Sequence, residues 1–289
     1  MPLIGKLVVC GVGLIGGSFA LALRRAQAVG RVVGIGRRRE PLERARALGV
    51  IDEIADDWAS ALDGADLVLL AAPVGQMDAI MTAMAPHLKP GTIVTDAGST
   101  KVNVVAAAHA VLGVRAMDFV PGHPIAGSER SGPGAARADL YCGRRVILTP
   151  QADTRADAVA MVRALWEATG AQVEMLDAAQ HDRIFAAVSH LPHLAAFALV
   201  DDLAGRADSE LFFRYAASGF RDFTRIAASS PEMWRDIALA NRPALLTELD
   251  GYIAALQTLR QALNDEDAAA LLAMFSRARA AREHWTMET

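Results

Sequence analysis

The stretch Leu7-Val8-Val9-Cys10-Gly11-Val12-Gly13-Leu14-Ile15-Gly16-Gly17 limits the fold of this chain more than any other. A short apolar run of strand type leads directly into spaced glycines, and a helical pattern from Ser18 to Ala26 follows. In that order the first glycine serves a tight turn and the second lets backbone approach a pyrophosphate. The third lets helix pack on strand, with phosphate charge at the helix N-terminus. The glycine spacing is a weak sign by itself; strand before it and helix after it make a strong one. Gly11, Gly13, Leu14, Ile15 and Gly16 are therefore expected to bind a dinucleotide.

A second strand reads Val32-Val33-Gly34-Ile35. Its end is where a ribose-binding carboxylate belongs, about 20 residues past the glycines. Gly36 and Arg37 stand there instead. A carboxylate would bond the ribose hydroxyls of NAD and repel a 2′-phosphate, whereas Arg37, followed by Arg38 and Arg39, can grip a phosphate through paired donors. The expected cofactor is NADP, with NAD as the alternative; the other reading of these arginines is a solvated approach to a helix.

Further apolar runs at Leu67 to Ala71, Thr92 to Thr95 and Arg145 to Leu148 alternate with helical patterns at Pro41 to Leu48, Gln76 to His87 and Lys101 to Leu112. That alternation predicts an α/β domain with a doubly wound parallel sheet of Rossmann type. Ligands of such sheets lie beyond the carboxyl ends of the strands. Three stretches fall there: Ala72-Pro73-Val74, Asp96 to Lys101, and a predicted loop from Gly122 to Glu129. Ala72, Pro73 and Ser99 accordingly join the expected cofactor contacts.

Nineteen of the 23 glycines and nine of the 12 prolines fall at or before Pro150, so turns concentrate in the first half and the remainder is rich in helix-forming alanine and leucine. A helix from Ala156 to Thr169 and a last strand from Gln172 to Leu176 close the first part. The expected domains are 1–176, binding the dinucleotide, and 177–289, all helical. In the second, Ile184, Val188, Leu191, Leu194, Ala198 and Leu203 recur at helical spacing and predict a buried stripe, bent at Pro192. Three more helical patterns run from Pro231 to His284, and the apolar seam of Leu245, Leu249, Ile253, Leu256 and Leu259 is wider than one small core needs. A two-fold homodimer through this half is expected.

The formal net charge of -4 gives no basic face for nucleic acid. No signal-peptide pattern opens the chain, and no uninterrupted apolar run is expected to span a membrane, so the expected location is the cytoplasm. Cys10 and Cys142 make neither a metal motif nor a disulfide framework and are expected to be buried thiols.

His123 is the foremost catalytic candidate. An imidazole titrates near neutrality, and a turn rich in glycine and proline can hold one as a general base, though an exposed turn histidine is equally compatible. Ser99 reads either as a helix N-cap or as a hydroxyl facing the cofactor cleft. His181, His190 and His193 come with no HExxH frame or cysteine pair, so no metal site is expected. They are satisfied core histidines or lie in a cleft. Arg221 and Arg225, a helical turn apart, suit a carboxylate or a salt bridge to Asp222, Asp236 or Glu248.

Taken together, Gly11 to Gly17, Asp96 to Lys101, Gly122-His123-Pro124-Ile125-Ala126-Gly127-Ser128-Glu129-Arg130-Ser131-Gly132, His181-Asp182, Ser189 to His193, Phe220 to Arg225 and Met233 to Asp236 resemble the prephenate and arogenate dehydrogenases of tyrosine biosynthesis along nearly the whole chain. The resemblance implies a nucleotide-binding domain followed by a helical dimerisation domain, and NAD(P)-dependent oxidative decarboxylation of a cyclohexadienol. It implies that His123 accepts the proton of the C4 hydroxyl with Ser99 bonding nearby, that Arg225 and His193 hold a substrate carboxylate with Arg221 assisting, that Glu129 gates the cleft, and that His190 joins the substrate site. Two other readings stand beside it: a β-hydroxyacid dehydrogenase or imine reductase of similar layout, and a non-catalytic nucleotide-sensing dimer. Whether the substrate is prephenate or arogenate is open in the sequence.

Overall fold

The structure is a computed structural model and describes residues 1–127 and 130–285. In chain order the first part contains β1 (Ile4–Cys10), α1 (Leu14–Arg25), β2 (Val29–Ile35), α2 (Arg39–Ala47), β3 (Glu53–Ile54), α3 (Trp58–Leu62), β4 (Leu67–Leu70), α4 (Met77–Met84), β5 (Ile93–Asp96), α5 (Val102–Leu112), β6 (Phe119–Val120), β7 (Gly122–Pro124), β8 (Arg145–Leu148), α6 (Ala156–Ala168) and β9 (Gln172–Met175). Only helices follow: α7 (Ala178–Phe185), α8 (Leu191–Ala204), α9 (Ser209–Tyr215), α10 (Ser218–Thr224), α11 (Pro231–Ala240), α12 (Arg242–Asn264) and α13 (Ala268–His284).

Six parallel strands form one sheet in the order β3-β2-β1-β4-β5-β6. The pairings Cys10 with Ile35 and Leu70, Leu70 with Asp96, and Thr95 with Val120 align the carboxyl ends along one edge. Strands buried on both faces read as continuous apolar runs, as Leu67-Val68-Leu69-Leu70 does. On one face Phe19 and Leu23 of α1 pack with Val162, Leu165 and Trp166 of α6. On the other, Met77, Met81 and Met84 of α4 pack with Val104 and Ala108 of α5, and Trp234 and Ile237 of α11 join them. The helical half is thereby packed onto the sheet rather than tethered beside it.

Two expectations about this sheet are corrected. The strand at Arg145–Leu148 does not extend it but forms a separate three-stranded sheet, antiparallel to β7 and parallel to β9. The stretch predicted as a loop from Gly122 begins as that strand β7, because the chain leaves β6 at Pro121, which has no N–H to continue a ladder, and turns onto β8. The segment after it straps α1. The Tyr141 hydroxyl donates to the Ile15 carbonyl at 2.6 Å, and Ser18 Oγ accepts from the Arg137 backbone at 3.0 Å. A Cβ on Gly17 would stand 2.9 Å from that of Ala136, so the strap needs a glycine in α1.

The predicted buried stripe is also corrected. Val188 and Ala198 are exposed, and the side turned inward carries His181, Asp182, Phe185, Ala186, His190 and Ala196. Between α7 and α8 the residues Ala186–His190 form a π turn, which shifts the register so that Pro192, lacking an N–H, starts a new helix instead of breaking one. By length and composition alone the run 178–204 is apolar enough to cross a membrane, contrary to expectation. It carries its histidines and Asp182 on the inward side, where they bond to neighbouring elements. Cys142 is exposed rather than buried, since it lies in the turn leading to Gly143; Cys10 is buried as expected.

Candidate active site

The carboxyl edge of the sheet brings together most of the residues singled out in the sequence. At the end of β1, Gly11 has φ 93°, and a Cβ there would lie 2.5 Å from the Ala71 carbonyl oxygen. A Cβ on Gly16 would meet the Gly11 carbonyl at 2.5 Å and Val9 at 2.7 Å, so α1 crosses its strand at a distance only glycine allows. Gly13 differs: a Cβ there would have no neighbour within 4 Å. Internal packing does not require that glycine; what it provides is bare backbone at the start of α1, the surface a pyrophosphate uses. The end of β1 thus fits a dinucleotide. Leu14 and Ile15 begin α1, and Ala72 and Pro73 follow β4 on the same edge.

Gly36 follows β2, and a Cβ there would have only Leu42 methyls, at 4.0 Å. Arg37 is exposed and has no ion pair among the described residues. Arg39 is held by Asp56 and by Glu43 at 3.4 Å.

His123 is in β7, opposite Ile147, and is half-buried. Its Nδ1 lies 2.8 Å from Nε2 of His181, and Nδ1 of His181 lies 2.7 Å from Oδ1 of Asp182. Phe185 packs against both rings, at centroid distances of 4.9 and 4.5 Å. Asp182 in turn accepts the backbone N–H groups of Lys101 at 2.7 Å and Val102 at 2.9 Å. A carboxylate from α7 therefore caps α5, which has no side-chain cap of its own. Of the two readings of Ser99, the N-cap is not the one seen; Ser99 lies in the loop between Asp96 and α5, partly accessible. Lys101 is fully buried, ion-paired to Asp96 and donating to the Gly122 carbonyl at 2.7 Å. Asp96 also accepts from Gly98 N–H at 2.7 Å and Gly122 N–H at 3.0 Å. These bonds fix the backbone on the N-terminal side of both Ser99 and His123.

Burial, then the nearby His181 and Lys101, push the His123 imidazole well below the usual histidine range. His181 is lowered mainly by burial, against the opposing pull of Asp182. His190 is pushed down to about 4 by burial. Its Nδ1 lies 3.0 Å from Asn241 Nδ2, which also donates to the Asp182 carbonyl at 2.7 Å. The His190 ring also faces the Ser99 backbone, a hydrogen bond that opposes the lowering, although its Nε2 has no partner at full bonding geometry among the described residues.

At the other end, His193 stacks on Trp234 with centroids 3.6 Å apart and donates from Nδ1 to the Ser189 carbonyl at 2.9 Å. Arg225 is near enough to lower His193 further, beyond the effect of burial. Arg221 is exposed, 3.8 Å from Asp222, the surface pair that the sequence left as its alternative. Glu129 lies outside the described residues. From the sequence His181 reads only as a core or cleft histidine, and Asp182, Lys101, Asn241 and Trp234 carry no assigned role. The pairing of His123 with His181 spans 58 residues and has no local signature, although four histidines on one edge could have prompted the search.

A glycine cradle and a half-buried imidazole on the same edge of the sheet fit an oxidoreductase of the dinucleotide-binding dehydrogenase class. The sequence profile described as "Prephenate dehydrogenase, nucleotide-binding domain" matches residues 19–175, and that described as "Prephenate dehydrogenase, dimerization domain" matches residues 177–277. The chain belongs to the prephenate dehydrogenase family. It is 41% identical to the cyclohexadienyl dehydrogenase of Zymomonas mobilis over 285 residues, covering 98% of this chain and 96% of that one. Among solved structures, prephenate dehydrogenase from A. aeolicus in complex with hydroxyphenyl propionate and NAD+ superposes with a TM-score of 0.91 at 38% identity, covering 97% of this chain and 98% of that one. Arogenate dehydrogenase of Synechocystis gives 0.81 at 29% identity, covering 97% and 100%.

Proposed function

We propose that this protein oxidises and decarboxylates prephenate, arogenate or both, taking the C4 hydrogen of a cyclohexadienol as hydride and releasing the ring carboxylate as carbon dioxide. The products are 4-hydroxyphenylpyruvate from prephenate and tyrosine from arogenate. The observation that carries this reading is His123, fixed in β7 and backed by His181 and Asp182 on the sheet edge that also carries the glycine cradle.

When bound, the nicotinamide supplies the hydride acceptor; the remaining work belongs to this chain. His123 takes the proton of the C4 hydroxyl as the carbonyl forms. Loss of carbon dioxide then returns an electron pair to the ring, and the phenolate oxygen recovers a proton from the same imidazole. Aromatisation drives that second step, so the protein needs to orient and hold charge rather than activate. Ser99 bonds near the hydroxyl. His193, held flat by Trp234, and Arg225 bind the side-chain carboxylate, with Arg221 assisting. His190 lines the same site, and the resemblance gives Glu129 a gating role.

Gly11, Gly13, Leu14, Ile15, Gly16, Ala72, Pro73 and Ser99 hold the cofactor, and Gly36 with Arg37 makes NADP the preferred form. The functional halves are 1–176 and 177–289. The working unit is a cytoplasmic homodimer formed through the helical half, where Phe212, Phe213, Ile253, Leu256 and Phe275 are exposed in one copy of the chain. Steady-state reduction of NADP and NAD with each substrate tests the reading. No reduction with either prephenate or arogenate would reject it.

A further inference from the structure

The hydrogen bonds behind His123 have a direction that can be worked out from what each group is able to donate. A carboxylate only accepts, so the 2.7 Å contact of Asp182 Oδ1 with His181 Nδ1 puts a hydrogen on that nitrogen. Asp182 is held in this state by its place at the start of α5, where the N–H groups of Lys101 and Val102 both point at it. With Nδ1 protonated, a neutral His181 has a bare Nε2, and its burial favours the neutral ring. That bare nitrogen lies 2.8 Å from Nδ1 of His123. Two nitrogens in such contact share one proton, and it must come from His123. The consequence is a lone pair on His123 Nε2, the ring nitrogen left for substrate.

We propose that Asp182 and His181 are positioning residues that lock His123 in its Nδ1–H tautomer, so that Nε2 is the base and the imidazolium it becomes is stabilised through His181 by Asp182. The proposal rests on the reading of His123 as the proton acceptor. No proton has to move along the chain of groups. When Nε2 takes the hydroxyl proton, Nδ1–H goes on donating to His181, whose own Nδ1–H goes on donating to the carboxylate, and each bond becomes charge-assisted. This logic parallels that of an aspartate that orients a catalytic histidine without itself being protonated. Here an extra imidazole extends the reach. Because Asp182 belongs to α7 and caps α5, the basicity of His123 is tied to the docking of the helical half on the sheet.

Protein labelled with nitrogen-15 at histidine reports the tautomer directly, with the His123→Asn spectrum used to assign the His123 signals. The wild type should show His123 protonated at Nδ1. Asp182→Asn keeps the size of the side chain but removes the charge on which the imidazolium formed at His123 relies. Its kcat should fall about a hundredfold or more, while KM and cofactor affinity stay within about threefold. A pair at position 181 separates positioning from packing. His181→Gln can still accept from His123 Nδ1–H and should retain at least about tenfold more kcat than His181→Leu, which cannot. An Nε2–H tautomer at His123 in the wild type would overturn the proposal, as would a folded Asp182→Asn enzyme with kcat within about threefold of wild type. If Asp182→Asn fails to fold, the wild-type spectrum and the position 181 pair still decide. A wild type that turns over neither substrate would reject the assigned reaction instead, and the spectrum would still read the tautomer.

Discussion

His123 and Arg225 were picked from the sequence for the same cleft, yet their surroundings are built in opposite ways. Behind His123 every step is closed within one copy of the chain: His181 and Asp182 are buried, the α5 N–H groups and Asn241 hold Asp182, and Lys101 with Asp96 fixes the backbone of Gly122. Arg225 follows the seven-residue helix α10, which has no buried residue, and Arg221 within that helix is largely exposed. His193 stands between the two, pinned by Trp234 and influenced by Arg225. The proton-accepting end is preorganised by folding. The end proposed to bind the substrate carboxylate is exposed in one copy of the chain. Preorganisation spares reorganisation in the transition state, so the first end should govern kcat and the second substrate affinity.

The largest expected effect is at the closed end. His123→Asn should lower kcat by a hundredfold to about ten-thousandfold with cofactor affinity kept, the usual worth of a positioned acid or base. Stopped-flow and steady-state reduction of the cofactor check it. A near-normal kcat would remove His123 from the chemistry and break the contrast at its root. The acid limb of the wild-type profile should also lie below the ordinary histidine value, because burial lowers the His123 pKa and the working form is neutral.

Next comes acid stability, to which the closed end should contribute most. His190 has a folded pKa of about 4 against an ordinary value of 6.5. Between those values the unfolded chain binds the proton and the folded chain does not, so stability falls as pH falls through that window. The difference amounts to about 3 kcal/mol from this residue if fully expressed. His123 and His181 shift in the same direction. Urea unfolding near neutrality and near pH 5 should therefore give clearly different midpoints, and His190→Asn should flatten the difference. Equal wild-type midpoints would mean that the histidines are more hydrated than their burial implies.

A smaller effect is expected at the open end. Arg225→Ala should raise KM for substrate roughly thirtyfold, the low end for a charge pair losing one partner, because Arg225 is exposed rather than buried. The kcat should move far less. An unchanged KM would assign Arg225 to a surface pair, and a collapse of kcat would show that this end too is preorganised.

The same contrast separates what was legible in the sequence from what was not. The strand-turn-helix at Leu7 to Ala26, the strands at Leu67 and Arg145 and the helices around them follow from period and glycine placement, which are local signals. The three regions at the carboxyl edge followed from topology. His123, Ser99 and the glycines could therefore be named in advance, whereas His181 could be read only as a core or cleft histidine and Asp182 only as part of a resemblance. Their role depends on contacts across 58 to 81 residues, for which a single sequence has no period. The small sheet was missed because Pro121 and Gly122 read as turn residues, and the buried stripe was misplaced because the π turn at Ala186–His190 rotates the helix face. Exposure of the apolar seam at Ile253 and Leu256 is the counterpart of the dimer expectation, since one copy offers nothing to cover it.

The smallest effect concerns the cofactor, and it extends the comparison to the far end of the dinucleotide site. The corner after β2 is built like the open end: Gly36 has room for a side chain, with only Leu42 methyls at 4.0 Å, and Arg37 is exposed without an ion pair among the described residues. Arg39 is already engaged by Asp56 and Glu43, which leaves Arg37 and Arg38 to meet a 2′-phosphate. A carboxylate at position 36 would repel that phosphate and bond the ribose hydroxyls instead. The wild type should prefer NADP over NAD in kcat/KM by about tenfold, a modest ratio because exposed guanidinium groups are solvated and screened. Gly36→Asp combined with Arg37→Ala should move the preference toward NAD, with kcat on the better cofactor nearly unchanged because the proton-accepting end is untouched. The A. aeolicus relative was crystallised with NAD+, which makes the wild-type ratio the deciding measurement. A wild type that favours NAD would show that the Gly36 and Arg37 corner is open without being a phosphate site, and that exposure alone does not specify a ligand.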